Sequence, residues 1–434
     1  MNCPAPGCIK GPLAAATHCA VGSVLLKSNL PSAMSKVVGN PNNFVVAFCG
    51  SGTGHLTQAM KVVEMLKARG YTLTGVVTDS DASEHMLDEM VRPLGVELLI
   101  IPAIQLVDTE KGFVPIVNPP QFVCSILNSQ KALHDRRAEY AAFFSRTAPG
   151  RIYDMYHLTL ARFFQLNPLP PSISIVHMAA QFGLCALTHD DTTTFIEVSS
   201  KAVMDLMRSI FTASGQAVPI SPLGGEGTLP PILHVPARLE PGTPRLILCY
   251  FLVQPNATRL DDLLVQWPYP GVEFHCFTSK PLEATRSALR SHAKQRKLFQ
   301  ELFARCTGVI VSAGNETVWE AVCRGVPVLT IPTEAHGEQL LNAAVHQRNF
   351  PHLVRSRPRL EAADINWLVN FDQESLACAG ESAALRQLVD RFNENGSPLL
   401  GGDGTPAGKP GGLSRRVSDA LESARAWLGG GGGA

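Results

Sequence analysis

The chain has 434 residues, which exceeds one ordinary domain and suits two domains of about 180 residues each. Its 37 basic and 37 acidic side chains cancel, so the composition gives no electrostatic footprint for a nucleic-acid partner. Its 11 cysteines form no C-x-x-C pair, from which we expect reduced thiols and no structural metal. No apolar run approaches the roughly 18 residues that a membrane-spanning helix needs.

The amino terminus has the composition of a tail. Residues 1–40 contain no acidic side chain and only a short apolar patch, which predicts a disordered segment. A weak organelle transit segment is the alternative, as is an over-extended start with Met34 as the true initiator. We expect an intracellular, cytoplasmic protein, with organelle targeting by residues 1–40 as the alternative.

A buried strand and a glycine-rich turn open the amino half. The apolar run that ends in Cys49 predicts the strand, and residues 56–69 carry a helical apolar stripe. Residues 71–77 and 95–101 predict two further strands. This alternation of strand and helix predicts a Rossmann-like, doubly wound α/β domain over residues 41–217.

Composition also predicts the later boundaries. Residues 218–243 are rich in Pro and Gly and predict an interdomain linker. Residues 244–395 predict a second Rossmann-like domain, and residues 396–434 predict a Gly-rich tail. Within the amino domain, the pattern from Gly150 to Phe164 favours a helix.

Two familiar nucleotide motifs do not fit the glycine turn. A P-loop needs Lys after its last Gly, and this chain has His55 there. A dinucleotide fingerprint needs the spacing G-x-G-x-x-G, whereas Gly50, Gly52 and Gly54 are evenly spaced.

The segment from Val309 to Pro332 is the most informative part of the carboxyl half. It predicts a strand, a turn at Gly314, a helix with Asn315 as its N-cap, and a second strand. A helix that starts directly after a strand presents free N–H groups and the positive end of its dipole. That arrangement predicts a phosphate-binding site.

Polar side chains flank this predicted site. Glu316 and Glu320 lie four residues apart and therefore share a helix face, although an ordinary solvated glutamate gives the same pattern. After the second strand, His336-Gly337 interrupts the chain and Glu338-Gln339 begins another helix. Ligands of open α/β sheets bind at the carboxyl ends of such strands.

These residues resemble the donor-binding half of GT-B glycosyltransferases, most closely glycosyltransferase family 28. The shared pattern is a small-residue turn, a Glu in the next helix, Gly-x-Pro, a strand that ends in Pro, an acid or amide pair and a later Asn. This chain supplies Ser312-Ala313-Gly314, Glu320, Gly325-Val326-Pro327, Ile331-Pro332, Glu338-Gln339 and Asn342. In the amino half, Gly52-Thr53-Gly54-His55 is similar to the glycine loop of the same family.

The resemblance implies that the two Rossmann-like domains face an interdomain cleft, and it implies roles for these positions. Gly314 and its neighbours would bind the diphosphate of a nucleotide sugar, Glu320 the ribose hydroxyls, and Glu338 and Gln339 the sugar. Phe277 is a candidate to stack on the base, with a core position as the alternative. The predicted donor-binding set is Ser312, Ala313, Gly314, Asn315, Glu316, Glu320, His336, Gly337, Glu338 and Gln339, with Gly52, Thr53 and Gly54 as the glycine loop.

His55 is the candidate catalytic residue. Its imidazole would remove the proton of an acceptor hydroxyl, since its ordinary pKa lies near working pH. The alternative is a structural imidazole that caps the helix or orders the glycine loop. Asp79, Asp108 and Asp154 are the candidate carboxylates to orient it.

The function expected from this reading is transfer of a hexose-type sugar from a nucleotide donor, UDP being favoured, to an acceptor hydroxyl. The resemblance implies an inverting reaction that needs no metal and no cofactor beyond the nucleotide sugar as co-substrate. The acceptor is open among a lipid, a glycan and a small molecule, and a lipid would bring peripheral membrane contact. The alternatives are a nucleotide-sugar 2-epimerase and a non-catalytic nucleotide-sugar-binding subunit; a dinucleotide oxidoreductase fails on the glycine spacing.

Overall fold

Two parallel six-stranded sheets, one from each half of the chain, form the framework of the protein. The prediction of two doubly wound α/β domains is therefore confirmed. The computed structural model describes residues 37–50, 54–104, 107–108, 112–113, 119–184, 195–235, 244–333, 336–372 and 376–396. Of the predicted tails 1–40 and 396–434, residues 1–36 and 397–434 lie outside these ranges, and Asn40 already begins the first strand.

The first sheet has the strand order β3-β2-β1-β6-β7-β8, and its neighbouring strands are parallel. A two-stranded antiparallel ribbon, β4-β5, accompanies it. The strands are β1 (Asn40–Phe48), β2 (Thr72–Asp79), β3 (Glu97–Ile101), β4 (Val107–Asp108), β5 (Gly112–Phe113), β6 (Pro149–Met155), β7 (Ser174–Ala179) and β8 (Gln216–Pro219). The predicted domain boundary at 217 falls inside β8.

Helices cover both faces of this sheet. They are α1 (Gly54–Ala68), α2 (Glu84–Met86, followed by a π turn at Leu87–Val91 and a 3₁₀ turn at Arg92–Leu94), α3 (Pro119–Asp135), α4 (Arg137–Thr147), α5 (Leu158–Leu166), α6 (Gln181–Leu184) and α7 (Phe195–Ser214). β1 shows why the sequence folds this way. Val46 and Phe48 pack on one side of the sheet and Val45 and Ala47 on the other, as a central parallel strand requires.

The second sheet has the order β11-β10-β9-β12-β13-β14 and is also parallel. Its strands are β9 (Arg245–Tyr250), β10 (Val272–Thr278), β11 (Leu289–Ala293), β12 (Gly308–Val311), β13 (Val328–Thr330) and β14 (Val354–Ser356). Its helices are α8 (Gln254–Gln266), α9 (Arg296–Phe303), α10 (Asn315–Cys323), α11 (Gly337–Asn349), α12 (Ala362–Val369) and α13 (Leu376–Asn395).

The predicted helix from Gly150 to Phe164 is wrong in its first half. Residues 149–155 form β6, which pairs with β1 on one side and β7 on the other, and α5 begins only at Leu158. Ile152 and Tyr153 enter the cores on opposite faces of the sheet. Asp154 obscured the strand pattern, because its charge is buried in the sheet beside a partner that lies 23 residues later.

The two halves share buried surface. One apolar cluster contains Leu56 and Val63 of α1 together with Val318 and Val322 of α10. A second contains Phe182, Met204 and Phe211 of the amino half with Leu341 of α11. Hydrogen bonds from Gln58 to Glu316 and from Gln181 to Glu338 also join the helices that follow β1, β7, β12 and β13, so the carboxyl ends of the strands in the two sheets face each other across the boundary between the halves, the interdomain cleft. Among the described residues, no helix is long and apolar enough to cross a membrane.

Candidate functional site

The N-terminus of α10 is built as the sequence predicts, with one shift. Ala313 has a φ of 48°, and Gly314, with φ −71° and ψ 145°, is the N-cap. The prediction of Asn315 as N-cap is wrong, because the left-handed turn falls at Ala313 and the helix already begins at Asn315. Gly314 has no side chain to accept from the first-turn N–H groups, so these stay uncapped.

The open space beside Gly314 is informative. Its φ is accessible to any residue, and a Cβ atom added to it would meet no atom within 4 Å. Neither backbone strain nor packing therefore demands glycine here. Two physical reasons for glycine remain: it is a better N-cap than alanine, and it lets a ligand approach the backbone closely.

Ser312 faces the protein. Its amide donates to Tyr250 O at 3.2 Å, and its Oγ accepts from Leu252 N at 3.0 Å. The side chain is buried. Ser312 thus ties the turn to the end of β9 and fixes where α10 starts.

Glu316 joins the two halves of the protein. Its Oε1 accepts from Gln58 Nε2 at 2.6 Å, and Gln58 is buried on α1. A Cβ added to Gly54 would lie 2.5 Å from Glu316 Oε2, so an alanine here would displace the end of the Glu316 side chain. Gly52 and Thr53, the rest of the predicted glycine loop, lie outside the described residues.

Glu320 is partly buried one turn further along α10. Burial, and after it the neighbouring charge of Glu316, raises the pKa of Glu320 to about 8, against the opposing charges of Arg324 and Arg296. In the described structure its carboxyl group makes no hydrogen bond. A carboxyl group that is protonated near neutral pH both donates and accepts, which suits a sugar hydroxyl.

The residues of the second predicted loop have two kinds of contact: His336 and Gln339 bond within their own half, and Glu338 bonds to the opposite half. His336 caps α11, since its Nδ1 accepts from Gln339 N at 3.4 Å, and burial lowers its pKa. Gln339 turns inward, where its Oε1 accepts from Thr333 N at 2.7 Å. Glu338 instead reaches across the cleft and accepts from Gln181 Nε2 at 2.7 Å.

The remaining positions of this half have simple surroundings. Gly337 is buried at the start of α11. Phe277 is fully buried and packs on His292 and Phe299, so the core position is confirmed. Glu334 and Ala335, between β13 and α11, lie outside the described residues.

His55 lies on the first turn of α1, with its ring almost parallel to that of Tyr156 at 14° and 6.0 Å between centroids. Its Nδ1 is buried and makes no hydrogen bond within the described structure. None of the candidate carboxylates is shown to orient it. Asp154 pairs with His177, Asp79 accepts from the amides of Gly50 and Asp81, and the Asp108 side chain is outside the described set.

Sequence reasoning missed a buried network in the amino half. Asp154 Oδ2 lies 2.5 Å from His177 Nδ1, and His177 Nε2 lies 3.0 Å from Ser214 Oγ. Both Asp154 and His177 are fully buried. The single acidic residue Asp154 between the large side chains of Tyr153 and Met155 was the available signal, but its partner positions are distant in sequence.

Asp79-Ser80-Asp81, at the end of β2, is a second overlooked feature. It is an Asp-x-Asp sequence, and carboxylate oxygens are the ligands that hard cations such as Mg²⁺ prefer. Asp79 is buried and engaged by two backbone amides, and burial together with the charge of Asp79 raises the pKa of Asp81. Among the described residues, no three His, Cys, Asp or Glu side chains are grouped to hold a metal ion.

Several solved structures share this two-sheet architecture. The glycotransferase of kitacinnamycin aligns with a TM-score of 0.55 over 88% of this chain and 99% of its own, at 12% identity. Arabidopsis thaliana UGT89C1 in complex with quercetin gives 0.55 over 88% and 98%, at 15% identity. CalG4, the calicheamicin glycosyltransferase, gives 0.50 over 91% and 100%, at 15% identity. The chain has the GT-B fold.

The GT-B fold places the uncapped start of α10 and the first turn of α1 on opposite sides of the cleft. No family model matches the chain, and no curated protein matches it either. At these identities the likeness establishes the fold alone, so the activity has to be argued from the residues in the cleft.

Proposed function

We propose that this protein is a glycosyltransferase, related to family 28, that transfers a hexose-type sugar from a nucleotide donor, UDP being favoured, to an acceptor hydroxyl. The observation that carries the proposal is the uncapped N-terminus of α10 at Gly314, which has open space beside it. Such a helix start stabilises a diphosphate through its free amides and its dipole. The same amides stabilise the diphosphate as it leaves, without a divalent cation.

Glu320 supports the sugar-nucleotide half of the proposal. It lies one turn beyond the proposed diphosphate site, where a ribose would follow. Its raised pKa keeps it able to donate and to accept hydrogen bonds near neutral pH. Glu338 is the candidate contact for the transferred sugar, because its carboxylate reaches the cleft. Gln339 is less suited to this role, since its Oε1 is already bound to Thr333 N.

His55 is the proposed base for the acceptor hydroxyl. It lies on the opposite wall of the cleft from α10, next to the contact between Gly54 and Glu316. A base in that position would act on the face of the sugar opposite to the departing diphosphate, which corresponds to an inverting displacement.

The test has a binding arm and a turnover arm. Calorimetry with UDP, and a thermal-shift panel of nucleotide sugars, should show a specific ligand that raises the melting temperature. UDP release should then increase when an acceptor is added, with flavonoids such as quercetin, lipids and oligosaccharides as the first panel. Absence of nucleotide diphosphate binding by the purified protein would refute the proposal.

A non-catalytic nucleotide-sugar-binding subunit is the second candidate function. The observation that favours it is the missing carboxylate partner at His55 Nδ1. Binding of UDP-sugar with no UDP release across the acceptor panel would support the subunit. If the protein is instead an enzyme, UDP release is measurable in the wild type and the replacement His55→Gln should abolish it.

A further inference from the structure

Tyr156 has a backbone conformation that its side chain disfavours. It follows β6 with a φ of 62°, in the left-handed region, where a bulky aromatic residue is an outlier. Such strained residues persist only where the surroundings enforce them, and they cluster at functional sites. Hydrogen bonds around Asp154 hold the Tyr156 backbone in this conformation, and the ring of Tyr156 contacts His55.

Asp154 closes the turn on which Tyr156 lies. Its Oδ1 accepts from His157 N at 2.8 Å, so the carboxylate spans the two intervening residues. Its Oδ2 lies 2.5 Å from His177 Nδ1, and His177 in turn contacts Ser214 at 3.0 Å. The carboxylate is therefore anchored to the neighbouring strand β7 and to the end of α7. Both anchors hold the turn in the strained form.

The turn places the tyrosine ring between two other rings. On one side lies His55, with centroids 6.0 Å apart and planes inclined by 14°. On the other lies Phe211, at 5.1 Å and 19°. Phe182 meets the tyrosine ring edge-on at 5.8 Å. Tyr156 is only 5% exposed, so the packing leaves its ring little freedom.

We propose that Tyr156 is a positioning residue that fixes the plane of the His55 imidazole for the reaction proposed above. In many enzymes a carboxylate bound to the second ring nitrogen orients a catalytic histidine. Within the described structure Nδ1 of His55 makes no hydrogen bond, so the stacked ring takes over that orienting task. Asp154 acts on His55 only through Tyr156, because in the described structure its carboxylate makes no hydrogen bond to a ring nitrogen of His55. This inference rests on the proposed role of His55 as base.

Three replacements separate the ring from the backbone and from the hydroxyl. Tyr156→Phe keeps the ring and removes only the hydroxyl, which contacts Met207 Sδ at 3.7 Å. Tyr156→Asn removes the ring but tolerates the left-handed backbone. Tyr156→Leu keeps apolar volume without a flat ring, and it carries the test if the Asn variant does not fold.

The expected result is a split between turnover and binding. Tyr156→Asn and Tyr156→Leu should lower kcat by about 10- to 100-fold, the scale of a small misplacement of a reacting group, and change the donor KM by less than about 3-fold. Tyr156→Phe should retain kcat to within about 3-fold. Retention of kcat by a folded Asn or Leu variant would overturn the proposal. An equal loss of kcat in Phe, Asn and Leu would also overturn it.

Nuclear magnetic resonance of the imidazole tests the same contact without turnover. The His55 Cε1–H signal, assigned with His55→Gln, should move in the Leu variant because the ring current is lost, and should stay near its place in the Phe variant. An unmoved signal in the Leu variant would overturn the positioning role. If wild-type protein bound no nucleotide diphosphate while the signal moved as expected, the proposed function would fail and the orienting contact would stand.

Discussion

Replacing Gly314 with Ala tests the diphosphate site with little cost to the fold. Alanine adopts φ −71° and ψ 145° freely, and its Cβ would meet no protein atom within 4 Å. As an N-cap, Ala is poorer than Gly by several tenths of a kcal/mol, while the stiffer unfolded chain returns about 0.4–1 kcal/mol. The two effects nearly cancel, so the melting temperature should change by less than about 2 °C.

Ligand affinity should respond much more strongly. The added methyl group enters the open space beside the first turn of α10, where the proposal puts the diphosphate. Displacing the ligand from one charge-assisted hydrogen bond costs about 1.5–3 kcal/mol, which raises the Kd for UDP by roughly 10- to 100-fold. Isothermal titration calorimetry of wild type and Gly314→Ala measures that ratio directly.

Gly380→Ala is the matched control. Gly380 is exposed on α13, away from the cleft, and a Cβ there also meets no atom within 4 Å. A helix-interior Gly to Ala change should stabilise the fold by about 1 kcal/mol and leave the Kd unaltered. If Gly314→Ala bound UDP within twofold of wild type, the diphosphate would not lie at the start of α10 and the reasoning would be refuted.

Gly54→Ala should stabilise the fold by less than the roughly 1 kcal/mol of an ordinary helical Gly to Ala change, because its Cβ, 2.5 Å from Glu316 Oε2, displaces that carboxylate from Gln58; in a Glu316→Ala background the same change should be more favourable, and additive effects in this double-mutant cycle would contradict the contact. Glu320, with a pKa near 8 when folded and 4.5 as its ordinary value, contributes stability that is complete below pH 4.5 and is lost as the pH rises to 8. The loss is at most about 5 kcal/mol, less for a group that keeps some exposure, and urea unfolding between pH 5 and 9 should show a smaller decline in Glu320→Gln than in wild type. His346 on α11 is buried, which lowers its pKa to about 3, so the unfolded chain takes up the proton first and stability falls from pH 6.5 towards pH 3 by up to about 5 kcal/mol. His346→Phe should flatten that acid decline, and parallel curves for the two proteins would count against it.

The sequence predicted the fold where the pattern was local. The run Val309–Val311, the small-residue turn and the apolar stripe of α10 lie within fifteen residues, so their order alone defines the strand, the turn and the helix. β6 was not predicted, because its strand pattern is not local. Asp154 disfavours a buried strand until the His177 partner is known, and no local pattern indicates that pairing.

The sequence predicted where in the chain the candidate site lies, but it predicted only part of the contacts that its side chains make. Gly314 is exposed at the start of α10, and Glu320 lies partly buried one turn further along the same helix, because the helix start fixes the positions of both. The surroundings of Glu316 and Glu338 depend on Gln58 and Gln181, which lie 258 and 157 residues away. Such pairs arise from the way two separately folded halves meet, which periodicity along one chain does not encode.

The two amide–carboxylate bonds across the cleft have a thermodynamic consequence for substrate entry. Glu316 and Glu338 each accept a hydrogen bond from a glutamine of the opposite half, so a sugar hydroxyl that bound either carboxylate under the proposed function would compete with a bond that draws the halves together. Linkage then runs both ways. A change that separates the halves would make those carboxylates easier to reach, and a ligand that binds them would favour the more open arrangement.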